Sequence, residues 1–182
     1  MEPGTQTNSK ERLMNHSGVR RLLHTLLLAE NGFFLAEVSS TEDAQQILDI
    51  VQGEIPKQTG LPIDIVKYIP RVDPDYDTMD NDTRYGEINY PFRQWIKEIR
   101  IPQEDDAEKT RLFVIDGSGI GNGDRATLVD HFAFMNALRG SVVGNKRGPV
   151  LVFIPKNLEI EKDIEKYGDL MTCCSMRLHI EG

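Results

Sequence analysis

Two runs of the chain, Leu112-Phe113-Val114-Ile115-Asp116 and Pro149-Val150-Leu151-Val152-Phe153-Ile154, are apolar through their length and short enough to be strands. Side chains along a strand alternate between the two faces of a sheet, so a strand apolar in both phases needs cover on both faces. A parallel sheet between two layers of helices meets that condition; a sheet with one solvated face does not. Phe33-Phe34-Leu35-Ala36-Glu37-Val38, residues 61–69 (closed by Pro70) and residues 175–180 read as three further strands. Helical spacing falls between them. Val19, Leu22, Leu23, Leu26 and Leu27 follow Ser17 as a cap, and Asn31-Gly32 supplies a stop near Glu30. Ser39 with Glu42 has the form of a capping box, opening a helix with Ile47, Leu48 and Val51 on one face that runs to about Gly53. Phe92, Trp95, Ile96 and Ile99 mark a short helix with an aromatic face turned inward. Helices from Asp124 to Arg139 or Val143, and over residues 158–167, complete the alternation. The expected architecture is an α/β three-layer sandwich with a mostly parallel, five-stranded sheet.

The 182 residues suit one domain. Residues 1–17 are polar and are expected to form a disordered tail. Residues 18–182 form the single α/β domain, with an acidic loop insertion around 70–90. The 21 Lys and Arg against 29 Asp and Glu give a net charge of −8, which argues against duplex nucleic acid and anionic membranes as partners. Segment 70–110 carries 6 basic and 11 acidic residues, so it supplies −5 of the total. The longest apolar stretch, residues 22–29, is interrupted by His24 and is far short of the ~20 residues that span a bilayer. Residues 1–17 lack the apolar core of a signal peptide. The only cysteines, Cys173 and Cys174, are adjacent and cannot make a disulfide framework. A reducing, cytoplasmic setting is the expectation.

Ligands of open α/β sheets bind beyond the carboxyl ends of strands, so the loops after Val38 and Ile115 come first. A phosphate-binding loop after the first strand would read G-x-x-x-x-G-K-[ST], its backbone N–H groups wrapping phosphate and its lysine neutralising charge. Glu37-Val38-Ser39-Ser40-Thr41-Glu42-Asp43 stands there instead, with no glycine, no lysine and three carboxylates. These carboxylates repel a triphosphate. Leu112 to Asp116 has the form of a Walker B strand, in which Asp116 would sit on magnesium; an aspartate at a buried strand end also caps turns. Gly117-Ser118-Gly119-Ile120-Gly121-Asn122-Gly123 is the most ligand-like loop, because free N–H groups before a helix favour anions. It departs from G-x-G-x-x-G at Asn122, and Asp124 already takes the cap.

Asp73, Asp75, Asp77, Asp80 and Asp82 form the densest run of like charge. As a calcium loop starting at Asp73 it fails, since Thr78 and Arg84 replace the glycine at position 6 and the glutamate at position 12. As a docking surface for a basic protein it is coherent, with Tyr76, Tyr85 and Tyr90 among the carboxylates. His16, His24, His131 and His179 show no metal-ligand spacing, and Asp130-His131 reads as an ordinary helix pair. No residue is assigned as a catalyst, no cofactor is expected, and oligomeric state is left open.

Three pieces taken in order resemble the degenerate AAA/STAND-like NTPase domains of bacteria. They are the helix and strand over residues 22–38, the strand Leu112 to Asp116, and Phe132-Ala133-Phe134-Met135-Asn136-Ala137-Leu138-Arg139 followed by Gly148-Pro149-Val150-Leu151-Val152-Phe153-Ile154-Pro155. In that family the third piece is an N-x-x-R helix, a turn and the fourth sheet strand. The resemblance implies a P-loop-NTPase-like sheet whose nucleotide machinery is eroded, in a family often found ahead of tetratricopeptide repeats and caspase-like effectors. The reading it implies is a non-catalytic pseudo-NTPase interaction module acting as an accessory of a prokaryotic defence or signalling system. The alternative is a nucleotide or phosphate-ligand sensor in which Asp116, Gly119 and Gly121 hold the ligand.

Overall fold

The five apolar runs do form strands, and every pairing between them is parallel. The computed structural model describes residues 3–70, 78–83, 86, 90–119, 147–156 and 176–180. The strands are β1 (Phe33–Val38), β2 (Ile63–Tyr68), β3 (Thr110–Asp116), β4 (Val150–Pro155) and β5 (Met176–Ile180), lying in the order β2-β3-β4-β1-β5. The helices are α1 (Pro3–Asn15), α2 (Ser17–Leu28), α3 (Thr41–Thr59), the single turn α4 (Asn81–Thr83) and α5 (Tyr90–Arg100). The helices expected over 124–143 and 158–167, and Cys173 and Cys174, lie outside the described residues.

All of β1 and β4 is buried, as is β3 beyond its first residue. Their alternation divides the core into two clusters. Phe34, Ala36, Val38, Leu112, Val114, Leu151 and Phe153 join the residues of α2 and α3. Phe33, Leu35, Phe113, Ile115, Val150 and Val152 join Phe92, Trp95 and Ile99 of α5. The expected aromatic helix is therefore real, and its indole N–H donates to the Val66 carbonyl of β2 at 3.0 Å. The same ring meets Phe113 edge-on, with centroids 6.4 Å apart.

Local signals were less reliable than the strand pattern. Residues 3–15 are helix rather than disordered tail, and Leu13 is fully buried. Ser9 of α1 donates to Gln46 of α3 at 2.9 Å. Buried Leu13 and the Ser9–Gln46 hydrogen bond dock α1 against its neighbours, and tertiary contact of this kind overrides weak helix propensity. Ser17 is the first residue of α2 and not its cap; His16 caps, its Nδ1 accepting from the Gly18 N–H. Ala29 ends α2, while Gly32, at φ 134°, lies in the entry to β1 and accepts from Val150 N–H. Ser40, not Ser39, caps α3. That helix continues past Gly53 because Ile55 extends its buried stripe, and Gly60 at φ 72° ends it. Packing here overrides the ~1 kcal/mol that a helical glycine costs relative to alanine.

The amino edge of the sheet is held by ions. Arg111 of β3 binds Asp64, Asp105 and Asp106 at 2.5–2.6 Å. Arg147 reaches Asp106 at 2.8 Å, and its guanidinium lies 5.6 Å from the centre of the Phe113 ring. Lys109 closes the set on Asp105 at 2.5 Å. Gly148 lets the chain pass over Arg111, since a Cβ there would collide with the Arg111 carbonyl oxygen. The Arg147 hydrogen bond above all, with Gln103 N–H and Arg111, holds the Asp106 carboxyl well below its ordinary range, against its partial desolvation. Burial alone would lower Arg111, and Asp106, Asp105 and Asp64 reverse that to a net rise.

Two measurements check these points. Leu13→Ala should destabilise the protein by about 2–5 kcal/mol in denaturant titration, as for a buried leucine, whereas a disordered tail would give a change within ~0.5 kcal/mol. A carboxylate with a depressed folded pKa contributes stability that is complete above the unfolded value, about 4, and is lost as pH falls through the folded one. Stability should therefore hold from neutral pH to about 5 and decline below about 4. Asp106→Asn should flatten that decline and lower the neutral-pH plateau.

Candidate functional site

The crossover from β1 passes β4 and β3 to reach β2, while β5 sits on the other flank of β1. That reversal of direction places the crevice of this sheet at the carboxyl ends of β1 and β4. Three short segments meet there and are tied by backbone hydrogen bonds. Gly117 N–H, after β3, donates to Phe153 of β4 at 2.9 Å, and Lys156 N–H, after β4, donates to Val38 of β1 at 2.9 Å.

The link from β1 to α3 is two residues long, Ser39 and Ser40. Ser40 is extended, and its hydroxyl accepts from the Asp43 N–H at 3.0 Å. One donor of the first turn is thus already taken, and Glu42 and Asp43 occupy that turn as carboxylates. Negative side chains here satisfy the helix dipole from within the protein.

Asp116, at the end of β3, is 4% exposed. Its Oδ1 accepts from the Ser118 N–H at 3.2 Å and from the Ser118 hydroxyl, forming a side-chain-closed turn. Lys67 Nζ stands 3.4 Å from its Oδ2 and also donates to Gln45 of α3 at 2.9 Å. Both oxygens of Asp116 therefore have protein partners. Gly119 is exposed and lies near Thr41; a Cβ there would meet the Thr41 hydroxyl at 3.7 Å, an ordinary contact, so nothing in its surroundings demands glycine. Gly121 and the rest of the glycine-rich loop lie outside the described residues.

Of the acidic run, Asp80 and Asp82 are described and Asp73, Asp75 and Asp77 are not. Asp80 has a local task. It accepts from the Thr83 N–H at 2.9 Å and the Thr83 hydroxyl at 2.7 Å, and these bonds, the backbone one first, hold its carboxyl below the ordinary range. Asp82 is exposed. Among the described residues, no group of three or more His, Cys, Asp or Glu side chains is placed to hold a metal ion. No helix among them is long and apolar enough to cross a membrane.

Two arrangements escaped the sequence reading. Lys67 is one; it lies on the same sheet face as Asp116, two positions back along β3 in register with Val114. A lysine two residues after Ile65, in phase with Ile63 and Ile65 along the strand, was the available signal. The other is Glu37, buried within β1 and bonded by Arg177 (Nε at 3.0 Å) and His179 of β5. Register pairs Glu37 with His179, which only the sheet order reveals.

Ser118→Ala should leave the buried Asp116 carboxylate short of a donor and cost about 1–3 kcal/mol in denaturant titration. A change within ~0.5 kcal/mol would mean that the turn does not hold Asp116 in place.

Among solved structures, the chain is similar to the Aeropyrum pernix ORC2 protein in its ADP form, at 11% identity and a TM-score of 0.50, over 90% of this chain and 46% of that one. It is also similar to Rhizobiales Trip13 (12% identity, TM-score 0.49, 96% of this chain and 66% of that one) and to the DnaC helicase loader (8%, 0.43, 89% and 85%). No protein-family model matches the sequence, and no curated protein matches it. The chain spans about half the length of the ORC2 chain. Its architecture is an α/β fold with a five-stranded parallel sheet, and the likeness to these structures is one of fold.

Proposed function

We propose that this chain is a non-catalytic module of NTPase fold that works by binding another protein. The observation that carries the reading is the two-residue link between β1 and α3, where Ser40 fills the helix cap and Glu42 and Asp43 supply negative charge. A phosphate chain would find neither free donors in sufficient number nor a lysine on that link. Asp116, the strand-end carboxylate that could have held magnesium, is engaged by Ser118 and Lys67. The excess of carboxylates in segment 70–110 favours a partner with a basic surface. The finer reading, a degenerate STAND-like accessory of a prokaryotic defence or signalling system in the cytoplasm, rests on the sequence resemblance and on cysteine usage.

One observation favours a second reading. Lys67 brings a cation to the carboxyl end of the sheet from β2, and it is the charge a phosphate ligand would use. In that case the chain is a nucleotide or phosphate-ligand sensor working through Asp116 and the loop after it.

A thermal melt with millimolar ATP or GTP and magnesium separates the two. Ligand at 100 times its Kd stabilises by about 2.7 kcal/mol, which for a chain of this size moves the midpoint by roughly 5–10 °C. No shift is expected. A shift of that order, lost in Asp116→Asn, would replace the interaction module with the sensor. Capture of a basic partner should weaken when Asp75, Asp77 and Asp82 are reversed to lysine. Asp80 is left intact in that variant because its carboxylate closes the α4 turn.

A further inference from the structure

The geometry points to the open edge of β2 as the place where the partner docks, by adding an extended basic segment as a sixth strand. This rests on reading the chain as a protein-binding module, and it specifies the surface and the shape of the partner. Among the described residues β2 is an outer strand, with β3 on one side only. Thr110 N–H donates to Pro62 C=O, and the register runs from Ile63 opposite Thr110 to Tyr68 opposite Ile115. In a parallel pair the backbone groups of alternate residues point to alternate sides. Asp64, Val66 and Tyr68 therefore face β3, and the N–H and C=O groups of Ile63, Ile65 and Lys67 face outward. Among the described residues, no turn or loop backbone hydrogen bond reaches the outward N–H and C=O groups of these three residues, and Lys67 is tied through its side chain, to Gln45 and Asp116.

The side chains on that edge are suited to a strand partner. Ile63 and Ile65 pack only partly into the α3-side core, and Val66 and Tyr68 only partly into the α5-side core. A strand laid alongside would cover both pairs. Leu61 (39% exposed) and Ile69 (62%) continue the apolar line beyond each end of β2. Unpaired edges of this kind are templates for strand addition, in which main-chain bonds give affinity and alternate side chains give selectivity.

Charge selects the occupant. The segment that follows β2 carries the excess of five negative charges over residues 70–110, and Asp82 is exposed within it. A second copy of the chain would bring two such segments together, and like charges at close range disfavour that pairing. A basic extended segment gains from the same field.

Amide hydrogen exchange, read residue by residue, tests this with a synthetic peptide of alternating lysine and valine long enough to span β2. In the free protein the amides of Ile63, Ile65 and Lys67 should exchange rapidly while Asp64, Val66 and Tyr68 are protected. Added peptide should slow the first three by roughly tenfold or more. The effect should vanish with the same peptide N-methylated at alternate amides, with glutamate in place of lysine, and in Ile65→Pro. That variant removes an outward N–H, and edge strands tolerate proline where the N–H faces solvent. Binding that leaves the three amides fast, no binding at millimolar peptide, or a dimer that protects them without peptide would each overturn the inference. These failures are distinct from failure of the interaction reading. If capture of a basic partner is still lost on reversing Asp75, Asp77 and Asp82, the module binds protein elsewhere; a nucleotide-dependent melt shift would remove the module itself.

Discussion

Burial of the central strands on both faces is the constraint from which the rest of this structure follows. β1, β3 and β4 present apolar side chains in both phases, so neither face of the sheet can be left to water. Burial of apolar surface, at about 25 cal/mol per Å2, is the dominant favourable term in folding. Helices must cover both sides, which forces crossover connections and hence parallel strands. The reversal of crossover direction at β1 is a consequence of the resulting order. The crevice at the carboxyl edge thus exists whatever side chains line it.

The two edges of the sheet are finished in different ways. At the amino edge, Arg111 and Arg147 join the starts of β3 and β4 to three aspartates and to the Phe113 ring. Both guanidiniums are largely buried, and their planar forks let each satisfy more than one carboxylate oxygen. Among the described residues, the carboxyl edge carries backbone hydrogen bonds, the Ser40 cap, the Asp116–Ser118 turn, the Lys67–Asp116 pair and the Glu37–His179 contact. The amino edge is, among the described residues, the more heavily cross-linked of the two.

Strand positions were legible because their signal is a property of every residue in the run. Phe113 and Val114 are both buried, on opposite faces, and no other element explains that pattern. Helix ends were less legible because competing caps differ by about 1 kcal/mol, and tertiary contacts decide among them. Ser39 and Ser40 are chemically identical as caps, and only where β1 ends selects Ser40. α1 was missed because Leu13 is the buried residue that docks it among the described side chains, and Leu13-Met14 at the end of a polar run show no helical periodicity. At the site, Asp116 was legible as a strand-end carboxylate, but its neighbours were not. Lys67, Gln45 and Ser118 come from three different elements, and only the sheet register brings them together.

Lys67 belongs to both the crevice and the open edge, and that decides how the two relate. Its ammonium group reaches Asp116 and Gln45, while its backbone N–H and C=O point away from β3. A phosphate ligand could use this lysine only by drawing it from Asp116. That would leave a buried carboxylate with Ser118 alone, and an under-satisfied buried charge costs about 1–3 kcal/mol or more. A strand added along β2 requires no such exchange. It would bond to the Lys67 backbone and leave the ammonium where it is, holding the backbone from which the side chain springs. Occupation of the edge therefore reinforces the Lys67–Asp116 pair, whereas an anion drawn to Lys67 works against it.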